Sequence, residues 1–258
     1  MANLLTGKTA LIAGLANRWS IAFAIAGAFR REGAEVVLTY QGERQRRTVE
    51  ELGAELGAAA IFDCDVASDE SIASMVERLT HEKIDALVHS IAFANREDLS
   101  QAFVETSRDG FKLAHEISAY SLVALSRALA PKMAAGGSVT TLSYLGAQRV
   151  IPNYNVMGVA KAALEACVRY LAADLGPKNI RVNAISAGAI KTASARGIKD
   201  FSKVLDAVAD VSPLKRVTDP AEVADTAVFL ASDLGRGVTG NVLYVDAGFQ
   251  IMGLQKPE

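Results

Sequence analysis

Gly137-Ser-Val-Thr-Thr-Leu-Ser143 runs directly into Tyr144-Leu-Gly-Ala-Gln-Arg-Val-Ile-Pro-Asn-Tyr154 and then into Asn155-Val-Met-Gly-Val-Ala-Lys161. The first segment is a short apolar run with β-branched residues, which predicts a buried strand. The last opens a helical pattern that extends to Leu175. Two tyrosines flank the crossing, and Lys161 lies seven residues after Tyr154. Seven residues of helix are two turns, about 10 Å of rise, so both side chains fall on nearly one face. A phenol has a reference pKa of about 10, and a nearby ammonium lowers the cost of giving up its proton. Tyr and Lys together at the end of a strand suit the polarisation of a carbonyl oxygen. The alternative is a half-buried packing tyrosine and a solvated lysine, and this pair of residues does not by itself choose between them.

The strand-to-helix crossing is one of a series. Apolar runs predict strands at 8–13, 35–40, 58–63, 84–89, 137–143, 180–185 and 241–246. Between them, helical patterns cover 21–31, 43–56, 68–80, 108–133 and 155–175, with a late helix from Pro220. Ser68 or Asp69 caps the third of these. Strands that are apolar throughout and alternate with helices imply a parallel sheet buried on both faces. The expected fold is a single doubly wound, Rossmann-type α/β domain over residues 1–258, with seven parallel strands and helices on both faces. No Pro- or Gly-rich linker divides the chain. The rhythm breaks at 189–212, after the sixth strand, where an insertion at a strand's carboxyl end is a candidate substrate lid.

Half of the residues are apolar and 22% are charged, as in a soluble globular enzyme, and the net charge of −2 does not indicate a nucleic-acid or anionic-membrane surface. Cys64 and Cys167 match no metal spacing and form no disulfide framework, which favours a reducing cytoplasm. The start of the chain lacks a signal-peptide pattern, and no apolar run approaches a membrane span. His81, His89 and His115 are not spaced as metal ligands, and His89 is expected to be a packed strand residue. Trp19 is expected to pack beside the first turn.

In doubly wound sheets a ligand lies at the carboxyl ends of the strands, with phosphates at a helix N-terminus. The first such turn is Gly14-Leu-Ala-Asn-Arg-Trp-Ser-Ile21. It is not G-x-G-x-x-G, but Gly14 allows close backbone approach, Ala16 is small, and Ser20 offers a hydroxyl and an amide. At the end of the second strand, neutral Gln41 can hydrogen-bond a ribose diol, which favours NADH over NADPH. Arg44, Arg46 and Arg47 follow among Glu43, Glu50 and Glu51, where a solvated ion-pair face is the simpler account. Asp65-Val66, Ser90-Ile91-Ala92 and residues 188–192 close three more strands at the same edge. Five such ends argue for a shared crevice.

Over nearly its whole length the chain resembles the short-chain dehydrogenases/reductases. Within them it is similar to the divergent branch of NADH-dependent bacterial enoyl-acyl-carrier-protein reductases. Most of the superfamily carries Tyr-x3-Lys and TGxxxGxG; this chain has Tyr154-x6-Lys161 preceded by Tyr144, and the Gly14-x5-Ser20-Ile21 turn. Ser143-Tyr-Leu-Gly146, Pro152-Asn-Tyr-Asn-Val-Met-Gly158, Arg181-Val-Asn-Ala-Ile-Ser-Ala-Gly188 and Gly197-Ile-Lys-Asp-Phe201 also look like that branch.

The resemblance implies catalytic roles for Tyr144, Tyr154 and Lys161. Tyr154 would hydrogen-bond the thioester carbonyl, and Lys161 would bind the nicotinamide ribose. Tyr144 would lie beside the acyl chain. It implies cofactor contacts at Gly14, Ser20, Ile21, Gln41, Asp65, Val66, Ile91 and Lys161, and along Ile190, Lys191, Thr192, Ala193 and Ser194. Ala94, with Tyr144 and Tyr154, would touch substrate. No metal is implied. Ala92 stands where many relatives have Gly, at the edge of the acyl pocket, where the added methyl would narrow the pocket or weaken a flat aromatic inhibitor stacked on the nicotinamide, and Ala189 replaces a common Pro, which would leave that loop less rigid.

The implied reaction is hydride transfer from NADH to the β-carbon of a trans-2-enoyl thioester carried on acyl carrier protein, the last reductive step of fatty-acid elongation. Lys191, Arg196, Lys199 and Lys203 are candidates to receive the acidic carrier, and family relatives imply a homotetramer. A β-ketoacyl reductase or alcohol dehydrogenase would use Tyr-x3-Lys, and a non-catalytic NAD(H)-binding regulator would need no Tyr154–Lys161 pair.

Overall fold

A computed structural model describes residues 3–190 and 201–253. Seven strands form one sheet: β1 (Thr9–Ala13), β2 (Glu35–Tyr40), β3 (Ala60–Asp63), β4 (Ile84–His89), β5 (Met133–Tyr144), β6 (Arg181–Ala187) and β7 (Val242–Val245). Their order is β3-β2-β1-β4-β5-β6-β7, and every pairing is parallel. The doubly wound expectation holds. Chain direction reverses its walk across the sheet between β1 and β4, where Ala13 is paired with His89 and Ser90 N–H donates to Ala13 O at 2.9 Å. That reversal opens a crevice at the carboxyl ends of β1 and β4.

The helices are α1 (Ile21–Arg31), α2 (Gly42–Leu56), α3 (Asp69–Arg78), α4 (Arg96–Ser100), α5 (Arg108–His115), α6 (Ser121–Leu129), α7 (Asn155–Leu175), α8 (Phe201–Val211) and α9 (Pro220–Ala231). The two-residue period of β1 divides them into layers. Ala10 and Ile12 enter a core with Ile25 and Phe29 of α1, Val49 of α2 and Val223 and Val228 of α9. Leu11 and Ala13 face the other way, into a core with Ile72 and Met75 of α3, Leu122 and Leu125 of α6 and Leu164 and Val168 of α7. Ser68 caps α3, its hydroxyl accepting from Ser71 N–H at 3.1 Å.

One long helix was expected over 108–133. The structure keeps its path but divides it: α5 passes through a π-helical turn at Glu116–Tyr120 into α6, then a 3-10 turn at Ala130–Lys132, and Met133 already belongs to β5. Periodicity averages over a one-residue slip, so the π turn leaves no trace in the apolar pattern. Its effect is local. Ser118, fully buried within it, accepts from Phe93 N–H at 3.0 Å and donates to Phe93 O at 3.1 Å, fixing the loop after β4. Pro131 tightens the last turn and ends the helix, and Gly136, at φ +87°, helps the bulged start of β5 turn into the sheet.

Candidate active site

The crevice at the switch point is a cavity of about 320 Å3, within the range of small-molecule sites. Gly14, Ser20, Ile21, Gln41, Val66, Ile91 and Lys161 all line it, so the structure brings most of the expected cofactor residues together. Asp65 stands beside them, accepting from Gln41 Nε2 at 3.0 Å. Sequence reasoning did not pick out Asn17, Thr39, Cys64 and Phe93, which also line the cavity; their only signal is position next to a strand end or turn already chosen.

Gly14 has φ +98°, and a Cβ there would lie 2.6 Å from the Ser90 carbonyl carbon, closer still to its oxygen, and 2.9 Å from Ile91 Cγ1. The close approach expected of Gly14 is therefore first an approach to the end of β4. It lets the two switch-point strands converge under the cavity floor. Ser20 caps α1, its hydroxyl accepting from Phe23 N–H at 3.2 Å. Ser20 was expected to offer both an amide and a hydroxyl to phosphate. Its N–H donates to Asn17 O at 3.1 Å and its hydroxyl donates to the same carbonyl at 2.7 Å, so both protons are engaged in holding the turn. The α1 N-terminus itself remains directed at the site through Ile21.

Around Gln41 the surroundings are acidic: Asp65 takes its amide proton, and Asp63 accepts from Gly42 N–H at 2.8 Å. Arg46 and Arg47 pair with Glu50 and Glu51 at 2.8 and 2.9 Å on the exposed side of α2. These arginines form the solvated ion-pair face expected of them. Trp19, expected to pack, is 56% exposed.

Tyr154 is the residue before α7, and Lys161 is the seventh residue of that helix. The Tyr154 ring meets the Tyr144 ring edge-on, with centroids 5.0 Å apart at 72°. Two glycines make room for it. A Cβ on Gly146 would fall 2.7 Å from Tyr154 Cε1 and closer still to Cδ1, and one on Gly158 would lie 2.8 Å from Gly146 O. Tyr154 also packs, with Ala94 and Leu99, on a small cluster of Ala114, Val156, Met157 and Ala160. Two of the three expected substrate residues thus share one apolar platform, and Tyr144 joins through the ring contact. Tyr154 opens onto a second cavity of about 390 Å3, bordered by Phe103, Val150 and Val159.

Lys161 is 6% exposed, and its Nζ donates to Leu142 O at 2.7 Å. Burial lowers its pKa to about 8, opposed by the Glu165 carboxylate. The lysine was expected to ease deprotonation of Tyr154. Instead, burial raises the Tyr154 phenol well above its ordinary value, with Tyr144 adding to the rise, and burial raises Tyr144 too. Both phenols stay protonated, which suits hydrogen-bond donation rather than phenolate chemistry. His89 is fully buried, as expected of a packed residue. Ser121 gives its proton to Ile117 O at 2.6 Å, so it accepts from His89 Nε2–H at 2.8 Å, and Thr141 donates to Nδ1 at 2.8 Å. Burial and the Lys161 charge depress its pKa to about 3, so it is a neutral strut behind the lysine.

Ile190 is buried in the core with Ala187 and Val223, so its side chain does not line the cavity. Lys191, Thr192, Ala193 and Ser194, with Arg196 and Lys199, lie outside the described residues, and Lys203 falls in α8 ahead of the first described side chain, Leu205. Among the described residues there is no cluster of three His, Cys, Asp or Glu side chains able to hold a metal, and no helix long and apolar enough to cross a membrane.

A family model described as enoyl-(acyl carrier protein) reductase matches residues 14–250, from the glycine of the first turn to the last 3-10 turn. The chain belongs to the enoyl-acyl-carrier-protein reductase family. It is 52% identical over 254 residues to the Bacillus cereus NADH enoyl-acyl-carrier-protein reductase FabI, covering 97% of this chain and 99% of that one. It is 48% identical over 257 residues to the Escherichia coli NADH enzyme, covering 98% of each. The solved Bacillus cereus reductase with NADP+ and an indole naphthyridinone superposes with a TM-score of 0.95 at 52% identity, over 97% of this chain and 99% of that one. The Aquifex aeolicus NADH reductase does so with a TM-score of 0.95 at 46% identity, over 98% of this chain and 100% of that one.

Proposed function

We propose that this enoyl-acyl-carrier-protein reductase works by hydrogen-bonding the substrate's thioester oxygen with a neutral Tyr154 while Lys161 adds positive potential. NADH, when bound, supplies the hydride for the β-carbon of the trans-2-enoyl thioester. As negative charge moves to the thioester oxygen, the Tyr154 O–H bond to it strengthens, and a donor aimed at a developing oxyanion is often the largest catalytic effect. The supporting observation is a Tyr154 ring seated against Tyr144 and Gly146 at the start of the helix that also carries a buried Lys161 lining the switch-point cavity. Lys161 also has donor capacity beyond its single bond to Leu142 O, enough for a ribose hydroxyl. Gly14, Ile21, Gln41 and Ile91 seat the dinucleotide, and the acidic surroundings of Gln41 favour NADH over a 2′-phosphate. Tyr144 holds the Tyr154 ring and borders the acyl chain with Ala94.

Tyr154→Phe tests the role. Loss of the donor should lower kcat roughly 10²- to 10³-fold with little change in KM. The assay follows NADH consumption with a crotonyl thioester, with NADPH and a β-ketoacyl thioester in parallel. A large rise in KM at unchanged kcat would remove Tyr154 from the transition state.

The chain acts as a single domain; of the candidate lid at 189–212, residues 191–200 lie outside the described residues and α8 covers Phe201–Val211. Phe111 of α5 and Val159 and Tyr170 of α7 are exposed apolar groups on neighbouring helices, which supports assembly into a homotetramer. Light scattering should then give four times the 27.2 kDa chain mass; a monomer mass rejects it. Free Cys64 and Cys167, the former buried with its thiol pushed up to about 12, suit the cytoplasm.

A further inference from the structure

Glu165 has no part in the chemistry described above, yet it is 5% exposed. It lies one turn after Lys161 on α7, so the two side chains share a helix face. They grip consecutive residues of β5. Lys161 Nζ donates to Leu142 O at 2.7 Å, and Ser143 Oγ donates to Glu165 Oε1 at 2.6 Å. The other carboxylate oxygen accepts from Gln148 Nε2 at 3.4 Å. No cationic side chain among the described residues lies within 4.0 Å of Glu165. A buried carboxylate held by one short and one long neutral hydrogen bond is costly to fold around.

Its partners explain where it acts. Ser143 and Gln148 bracket Tyr144 and the turn Leu145–Ala147, and that turn holds Gly146 against the Tyr154 ring. The clasp therefore closes on both ends of the segment that seats both tyrosines. We propose that Glu165 is a positioning residue that fixes the Ser143–Gln148 segment under the two tyrosines and supports the buried Lys161 ammonium one turn away on the same helix face. The inference rests on Lys161 acting at the cofactor, as above.

Electrostatics around the pair agree. The Glu165 charge raises the Lys161 pKa against the burial that lowers it to about 8. From β4, His89 faces the lysine as a neutral ring. From the substrate side, Tyr144 and Tyr154 are both protonated. From β7, Tyr244 is raised by burial first, then by Glu165 and Asp246, and it shares Gln148 with Glu165; Arg149 acts on it in the opposite direction. Of these groups, Lys161 is the one whose charge changes just above neutral pH.

Glu165→Gln keeps the shape and the acceptor for Ser143 but removes the charge. Lys161 should then lose its proton at lower pH. The expected result is a kcat/KM lowered roughly twofold near pH 6 and roughly tenfold near pH 8, with the alkaline limb displaced downward. NADH affinity, read by fluorescence without turnover, should begin to weaken at correspondingly lower pH. Glu165→Asp should restore the limb while leaving kcat reduced, because its shorter side chain draws back from Ser143. Ser143→Ala should lower kcat and keep the wild-type limb. A wild-type limb in Glu165→Gln, or an equal loss at every pH, overturns the charge role. An equal shift of the limb in Ser143→Ala does so as well. Absence of any alkaline weakening of NADH binding in the wild type would remove Lys161 from the cofactor and the proposal with it.

Discussion

Gly146→Ala is a one-carbon change that separates the tyrosine geometry from the fold. The added Cβ would stand 2.7 Å from Tyr154 Cε1, nearer still to Cδ1, and 3.4 Å from Tyr144 Cδ1. Ordinary carbon contacts begin near 3.4 Å, so the Tyr154 ring must withdraw by about 1 Å. It has little room to do so, since the Tyr144 ring is edge-on at 5.0 Å and the Ala114–Val156 cluster lies against it. Gly146 is not at positive φ, so backbone strain adds nothing. Overpacking of this size costs about 1–3 kcal/mol, which lowers Tm by about 2–12 °C in a chain of this length. Displacing a group by about 1 Å from the reacting oxygen costs on the order of 10² in rate. The expected outcome is a folded enzyme whose kcat with a crotonyl thioester falls roughly 100-fold while NADH affinity stays within about twofold. Gly237→Ala is the control, because a Cβ there meets nothing within 4 Å and its φ is not positive. It should retain wild-type kcat. A Gly146→Ala enzyme with wild-type turnover would refute the claim that the ring's position sets the rate.

Gly14→Ala should fail differently: its Cβ would press on the Ser90 carbonyl at a φ of +98°, a rigid main-chain clash, so loss of soluble folded protein or a fall in Tm beyond 5 °C is expected, and a stable variant would show that β1 and β4 need not converge there. The pH dependence of NADH binding follows from Lys161, whose burial lowers its pKa to about 8. The amine is charged below that value and loses its charge as pH rises through it, so affinity should be flat below about pH 7.5 and weaken by up to about tenfold per unit above pH 8, whereas Lys161→Met should be flat throughout.

Much of the fold is legible because its signals are local. The α1 bounds follow from Ser20 as cap and Gly33 at φ +88°, and β2 and β4 are bounded by turn residues on both sides. Parallel pairing follows from strands that are apolar on both faces, as the two cores built on alternate β1 residues confirm. The candidate cofactor residues that line the cavity stand at strand ends, which a single sequence already marks. Contacts across the fold were not legible. Nothing near Gly14 in sequence announces Ser90, and nothing near Tyr154 announces that Gly146 makes its seat. The π turn is invisible for a related reason: it changes which carbonyl each N–H meets without changing which residues are apolar. The expected effect of Lys161 on the phenol also failed for lack of depth, because burial, which no spacing encodes, dominates both groups.

The seven-residue separation of Tyr154 from Lys161 takes its meaning from β5. Tyr154 stands before the first turn of α7, where its ring can leave the helix and lie against the Tyr144–Gly146 turn. A lysine two turns further on has moved back from the strand's carboxyl end, and its amine reaches Leu142 O. Two different residues of one strand end are thus held by one helix, the tyrosine ring by the turn after Tyr144 and the ammonium by the carbonyl two residues before it. Lys161 then faces the dinucleotide cavity while Tyr154 opens onto the neighbouring one. A lysine only four residues after the tyrosine would sit one turn closer to it. With the longer spacing Lys161 lines the cavity at the switch point while Tyr154, seated on Gly146, lines the neighbouring one, and the segment that holds Gly146 is the one that the Glu165 clasp is proposed to fix.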